Sequence, residues 1–186
     1  QKKCYPTKEK GFSILIPAYN ETLVLQNCLM GILNVNYKNF EILFINDGST
    51  DNTLETLHKH LQLITTPRSK QGVLSHEHVK GIYRSQKFPS IWVIDKENGG
   101  KADALNAGIE FATKEMIITL DADSIIDADA LNEMNQTFSD ESVVAAGGLV
   151  NIVQGFKRNE EKLVPYFKLR GLIRYQIIQY MTAFHL

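Results

Sequence analysis

The chain has 186 residues, 44% hydrophobic and 22% charged, with a formal charge of −1. This composition excludes a disordered chain, and the balance of charge excludes a broad basic surface for nucleic acid. No uncharged apolar run reaches the roughly 18 residues of a membrane span, and no signal peptide opens the sequence.

The length suits one sizeable α/β domain, or part of a larger one. Cys4 and Cys28 are expected to be reduced thiols rather than a disulfide, with Cys28 in an apolar helical pattern. Beginning at Gln1 and stopping at Leu186 inside a helical pattern, the chain reads as a segment of a longer protein.

A flank of residues 1–11 leads into "FSILIPAYNE" (12–21), a strand that Pro17 should end at the sheet edge. Leu25, Leu29, Ile32 and Leu33 then recur at helical spacing. "FEILFIND" (40–47) is a second strand, stopped by "DGSTDNT"; Leu54, Leu57 and Leu61 mark the next helix, with Asp51 suited to its first turn. From Ile64 to Ser90 the pattern dissolves into Pro, Ser, Lys, His and Gly, which predicts a mobile insertion over 65–89. "SIWVIDKENGG" restores a strand, and Ala102, Leu105, Ile109 and Ala112 share one helix face. "EMIITLDAD" is the next strand, Leu131, Met134 and Phe138 mark the helix after it, and "SVVAAGGLV" gives a further strand. From Asn159 to Leu186 the pattern reads as one long helix, with Pro165 near its start. Leu169, Ile173, Ile177, Met181 and Phe184 make an apolar stripe beside Lys168, Arg170 and Arg174. Packing of that stripe against a further half of the protein is favoured over a membrane surface.

Strands alternating with helices, several of them continuously apolar, imply a Rossmann-like α/β fold. Its central sheet should be mostly parallel, with helices on both faces. Ligands of such sheets bind beyond the carboxyl ends of the strands. "PAYNE", "NDGSTD", "DKENGGK" and "DADS" each follow a strand directly, so one rim should carry all four.

Each cluster has a plain reading beside a functional one. Gly99 and Gly100 precede a helix, where free amides and the dipole favour an anion and Lys101 adds a point charge. A capping loop with a solvated lysine explains them equally well, and the glycine spacing is not the dinucleotide fingerprint. Ser49, Thr50 and Asp51 fit a helix cap. Asp47 fits it less well, because it falls at the strand's own end, where a base or sugar hydroxyl could be read. Tyr19 and Asn20 could stack on and bond a flat polar ligand, although by itself their stretch is a routine turn.

Asp121 and Asp123 stand one residue apart at a strand end, where they repel unless solvated or faced by something positive. Mg²⁺ or Mn²⁺ would relieve that repulsion and bridge to a diphosphate; a capping Asp with a solvated neighbour is the plain reading. The histidines show no ligand-like grouping, His76 and His78 being a weak zinc candidate at best. No nucleophile elbow, Walker A sequence or triad order occurs.

Taken in order, "SILIPAYNE", "FEILFINDGSTDNT", "NGGKADALNAG" and "ITLDADS" closely resemble glycosyltransferase family two. This is the inverting, nucleotide-sugar-dependent family with the GT-A fold, and within it the likeness is greatest to processive membrane synthases of bacterial polysaccharides. The resemblance runs from Phe12 to Val150. It implies that Pro17, Tyr19 and Glu21 border the nucleotide and that Asp47 contacts its uracil. Lys101 would lie near the uridine or diphosphate, Asp121 would bind ribose or support the metal, and Asp123 would coordinate Mg²⁺ or Mn²⁺. The implied donor is a UDP-sugar, the implied acceptor a glycan or growing polysaccharide, and the implied transfer hexosyl or N-acetylhexosaminyl. The full-length protein is expected at the cytoplasmic face of the cell membrane, with this segment itself soluble.

The family's later Glu-Asp general base and Gln-x-x-Arg-Trp motif do not occur here: the only Trp is Trp92, and no "ED" pair follows Asp123. The catalytic base is therefore expected beyond Leu186. Residues 12–158 would form a donor-binding subdomain, 159–186 a helical segment leading to the acceptor half, and the chain would be inactive by itself.

Three rivals remain at this point. A haloacid-dehalogenase-like phosphatase also has Asp-x-Asp after an apolar strand, but after its first strand. A nucleotidyltransferase of similar fold is closer, although such enzymes open with a Gly-rich phosphate loop where this chain has "PAYNE". A nucleotide-sugar-binding module without catalysis is the third.

Overall fold

The computed structural model describes residues 8–148 and, beyond them, the backbone of 156–159 and 162–165. The chain divides into two compact units, Gln1–Val144 and Ala145–Leu186. In the first, six strands make one sheet: β1 (Phe12–Ala18), β2 (Phe40–Asp47), β3 (Leu63–Thr65), β4 (Val79–Ser85), β5 (Ile91–Lys96) and β6 (Met116–Thr119). Their order across the sheet is β3-β4-β5-β2-β1-β6. The block β5-β2-β1-β6 is parallel, and β4 and β3 extend it antiparallel. The helices are α1 (Leu25–Leu33), α2 (Thr53–Leu61), α3 (Lys101–Phe111) and α4 (Ala130–Thr137).

Alternation along the strands builds a core on each face of the sheet. Phe12, Ile14 and Ile16 of β1 belong to one cluster with Leu29 of α1, Leu57 of α2 and Leu131 of α4. Leu15, with Leu43, Ile45 and Ile94, belongs to the other, against Ala104, Ala107 and Phe111 of α3. Helices thus cover both faces, which is why β1 and β2 carry the unbroken apolar runs 14–16 and 42–45. Small residues let α3 lie close to the sheet: a Cβ on Gly108 would come within 3.0 Å of Ile45.

Pro17 does not end β1 at a sheet edge. The strand is central and continues through it to Ala18. The carbonyls of Gly11 and Leu15 accept from Met116 and Leu120, so odd-numbered peptides of β1 face β6. Pro17 comes after the last β6 pairing, Leu15 with Thr119, where a missing N–H breaks no ladder bond.

Three other expectations are corrected. The span 65–89 contains all of β4, which packs Ile82 into one core and Tyr83 into the other. Val143–Gly148, expected within a strand, form no regular element; Ala145, Ala146, Gly147 and Gly148 give a strand little to pack. Lys162–Pro165 is a strand, β8, paired antiparallel with β7 (Phe156–Asn159), where the start of a long helix was expected. Pro165 removes an N–H and disfavours helix at Val164. The rest of 159–186, the end of the expected strand at 149–150, and Cys4 lie outside the described residues. No helix among the described residues is long and apolar enough to cross a membrane.

Candidate functional site

All four polar clusters gather at the carboxyl ends of β1, β2, β5 and β6. The first two are bound to each other. Asn20 takes a left-handed conformation, φ 58°, that Asn tolerates better than most residues. Its Oδ1 accepts from Thr50 N at 2.8 Å and Asp51 N at 3.2 Å. Asn20 N donates to Ser49 Oγ at 3.0 Å, Glu21 N to Thr53 Oγ1 at 2.8 Å, and Thr22 Oγ1 to Asp51 Oδ2 at 2.7 Å. Asn20, weighed as a ligand contact, instead ties the loop after β1 to the start of α2. Tyr19 beside it is left 50% exposed, and Pro17 and Glu21 are half-buried.

Asp47 closes β2 and is buried. Its Oδ1 accepts from Lys96 Nζ at 2.6 Å and Gly99 N at 3.1 Å, and its Oδ2 from Gly100 N at 2.7 Å. Asn98 Nδ2 approaches Oδ2 at 3.3 Å while donating to the Asp47 carbonyl at 2.8 Å. The amides expected to be free at the start of α3 are therefore turned onto a carboxylate of the same chain. The crossing of the two loops demands glycine at Gly48, where φ is 67° and a Cβ would come within 2.7 Å of Asn98 N.

Lys96 was missed by the sequence reading. Its side chain is wholly enclosed between Asp47 and Asp103 Oδ1, the latter at 2.5 Å, and it also donates to the Glu97 carbonyl at 2.5 Å. Burial pulls its pKa down, but the hydrogen bonds to Asp103 and Asp47 outweigh this and raise it above the usual lysine value. Burial pushes Asp103 the other way and is likewise outweighed, here by Lys96 and the Glu77 amide, so its carboxyl sits below the usual range. A usable signal was present: Asp47 and Lys96 are cross-strand partners at the ends of β2 and β5.

The pair that seemed to need a positive neighbour has one. Lys101 Nζ donates to Asp121 Oδ1 at 2.6 Å. Ala122 is buried, and Asp123 is exposed, with Ser124 Oγ 3.5 Å away. Glu21 shares this field: burial raises its pKa, and Asp123, Asp51 and Asp121 add to the rise. Cys28 is buried, and its thiol is pushed up to about 12 by burial and by Asp123, which makes it a core residue rather than a nucleophile. Among the described residues no three His, Cys, Asp or Glu converge as a metal cage. The crowded carboxylate oxygens suit a hard cation that takes its remaining ligands from a bound phosphate group.

Residues 66–78 run along α3. Arg68 Nη2 bonds Glu41 Oε2 at 2.6 Å, its Nε donates to the Phe111 carbonyl at 2.7 Å, and its guanidinium lies over Trp92. Leu74 N donates to the buried Glu110 carboxylate, Asn106 Nδ2 to the Ser75 carbonyl at 3.1 Å, and Glu77 N to Asp103 Oδ2 at 3.0 Å. Asp103, Asn106 and Glu110 share one face of α3, so the helix acts as a rail for the segment.

A family model described as glycosyl transferase family 2 matches residues 13–185. The poly-beta-1,6-N-acetyl-D-glucosamine synthase of Staphylococcus aureus strain COL is 34% identical over 137 residues, 74% of this chain and 27% of that protein. The synthase of the same name from Staphylococcus epidermidis is 36% identical over 130 residues, 69% of this chain and 26% of that protein. The chain therefore spans about a quarter of the length of these relatives. Among solved structures, the mannosyltransferase PcManGT of Pyrobaculum calidifontis, in complex with GDP-Man and Mn²⁺, aligns with a TM-score of 0.55 at 21% identity over 73% of this chain and 36% of that one. S. aureus TarS 1–349 in complex with UDP-GlcNAc aligns with a TM-score of 0.52 at 21% identity over 80% of this chain and 38% of that one. At such identities these likenesses establish a shared fold.

Proposed function

The chain belongs to glycosyl transferase family 2, and from that premise we propose that it binds a UDP-sugar donor across the rim at the ends of β1, β2, β5 and β6. The observation that carries this reading is the meeting of Lys101 with Asp121, beside Asp123, at the point where α3 begins and β6 has ended. A cation and a carboxylate pair facing each other there suit a metal-bound diphosphate, with Lys101 passing from Asp121 to a phosphate oxygen. Asp123 and Asp121 would hold Mg²⁺ or Mn²⁺, which neutralises charge on the departing diphosphate. Tyr19 and Pro17 would border the nucleotide, with Glu21 on the same side. Asp47 would take the uracil N3–H on Oδ2 in place of Asn98, bonded there at 3.3 Å, while Gly100 N keeps its 2.7 Å bond to the same oxygen.

In the whole protein the reaction is an inverting displacement at the anomeric carbon by a hydroxyl of a growing glycan. The names of the relatives favour an N-acetylhexosaminyl donor and a polysaccharide product. The base that takes the acceptor's proton lies outside this segment, which binds donor without transferring it. The catalytic assembly works at the cytoplasmic face of the membrane.

Calorimetric titration of UDP with and without Mn²⁺, for this chain and its Asp123→Ala variant, tests the reading. Binding that needs the metal and is lost in the variant is expected. Binding independent of metal and unchanged in Asp123→Ala overturns it.

A further inference from the structure

The reading above, on which this inference rests and which it deepens, leaves Lys96 and Asp103 without a part. Lys96 is a fully enclosed cation, and its three N–H bonds are matched by Asp47 Oδ1, Asp103 Oδ1 and the Glu97 carbonyl. An ammonium held by three acceptors has one position. From there it fixes Asp47 through Oδ1, while the amides of Gly99 and Gly100 fix the rest of that carboxylate. On the far side Asp103 receives both Lys96 and Glu77 N. The end of β2, the end of β5 and the first turn of α3 meet at this one ammonium, and the segment 66–78 joins them through Asp103.

We propose that Lys96 and Asp103 are positioning residues of the donor site, which aim the Asp47 carboxylate at the nucleotide's base and join the 66–78 segment to it. Neither side chain needs to touch the nucleotide. Lys96 has no exposed surface, and Asp103 acts through Lys96. Their effect falls on base selection. A carboxylate accepts the N3–H of uracil but meets a lone pair at N3 of cytosine, so a fixed Asp47 rejects CDP. An Asp47 free to turn rejects it less.

The test uses the whole chain with Mn²⁺, titrating UDP and CDP into the native protein and into Asp103→Asn. This variant keeps the side chain's shape at a site that is 21% exposed and leaves the enclosed Lys96 paired with Asp47. The expected result is a fall of about tenfold in the preference for UDP over CDP, the scale of one hydrogen bond, with faster amide exchange at Glu77. Rescue in part by Asp103→Glu is also expected. An unchanged UDP-to-CDP ratio in Asp103→Asn overturns the positioning role while leaving the donor-site reading intact. Equal affinity of the native chain for UDP and CDP overturns it as well. A native chain that binds no UDP overturns the donor-site reading and this inference together.

Discussion

Lys101 Nζ stands 2.6 Å from Asp121 Oδ1, joining the first turn of α3 to the loop after β6, with the two side chains 63% and 57% exposed. An ion pair this open contributes at most about 1 kcal/mol to stability. On the proposed reading, its value lies in the ligand it can release to. Lys101→Met should leave Tm within about 4 °C of the native chain by differential scanning calorimetry. The same variant should weaken UDP binding in Mn²⁺ about tenfold, on the scale of one charge-assisted hydrogen bond.

Lys96 lies at the opposite extreme of burial. Replacing it by methionine leaves Asp47 and Asp103 facing one another without their shared cation. Removing one partner of a buried pair typically costs about 3–5 kcal/mol, which urea unfolding followed by circular dichroism will measure. A triple variant that also carries Asp47→Asn and Asp103→Asn should recover part of the loss, because it removes the stranded charges.

Glu41 sets an acid limit. Burial would raise its pKa, but hydrogen bonds from Arg68, Ser13 and Thr113 outweigh burial and hold it below the usual 4.5. The folded chain therefore binds fewer protons at this site than the unfolded chain does near that pH. The resulting stabilisation is complete above 4.5 and is lost as pH falls through the lowered folded value. Urea midpoints should drop below pH 4.5, and Glu41→Gln, less stable at neutral pH, should show a shallower slope in that window.

Gly48→Ala tests the crossing of two loops. The substitution forces a side chain into φ 67° and drives its Cβ to 2.7 Å from Asn98 N. Strain of this kind costs about 1–3 kcal/mol, visible as a lowered Tm. Because the displaced loop carries Asp47's partners, UDP affinity should fall beyond what the Tm predicts.

Much of this architecture was legible because it is written locally. Apolar runs ending in polar clusters placed β1, β2, β5 and β6, and the rule for parallel sheets put all four clusters on one rim. The partners were not legible. Asp47 looked available for a ligand because nothing nearby in sequence claims it, yet Lys96, Gly99 and Gly100 lie about fifty residues away. Lys101 drew attention by following two glycines, while nothing in the sequence singled out Lys96. The span 65–89 resembled a loose insertion because its anchors, Glu110, Asn106 and Asp103, are on a helix further along the chain. In β4 the apolar pattern is short and one edge faces only the three-residue β3, so tertiary pairing decided what local preference did not.

The place of β1 in the sheet also bears on how the chain is made. β1, an inner strand, leaves the ribosome before both of its neighbours, β2 and β6. It must wait for β6, and the bond from Lys114 N to Ser13 Oγ spans 101 residues. Translation at roughly 5–20 residues per second leaves that flank of "FSILIPA" open for about 5–20 s. An apolar edge exposed for so long invites pairing with a neighbouring nascent chain. Pro17 stands on that flank, where it can donate no hydrogen bond to an intruding strand. The residue that costs the finished sheet nothing thus guards the unfinished one, and Pro17→Ala should raise aggregation during synthesis more than it changes the stability of the folded protein.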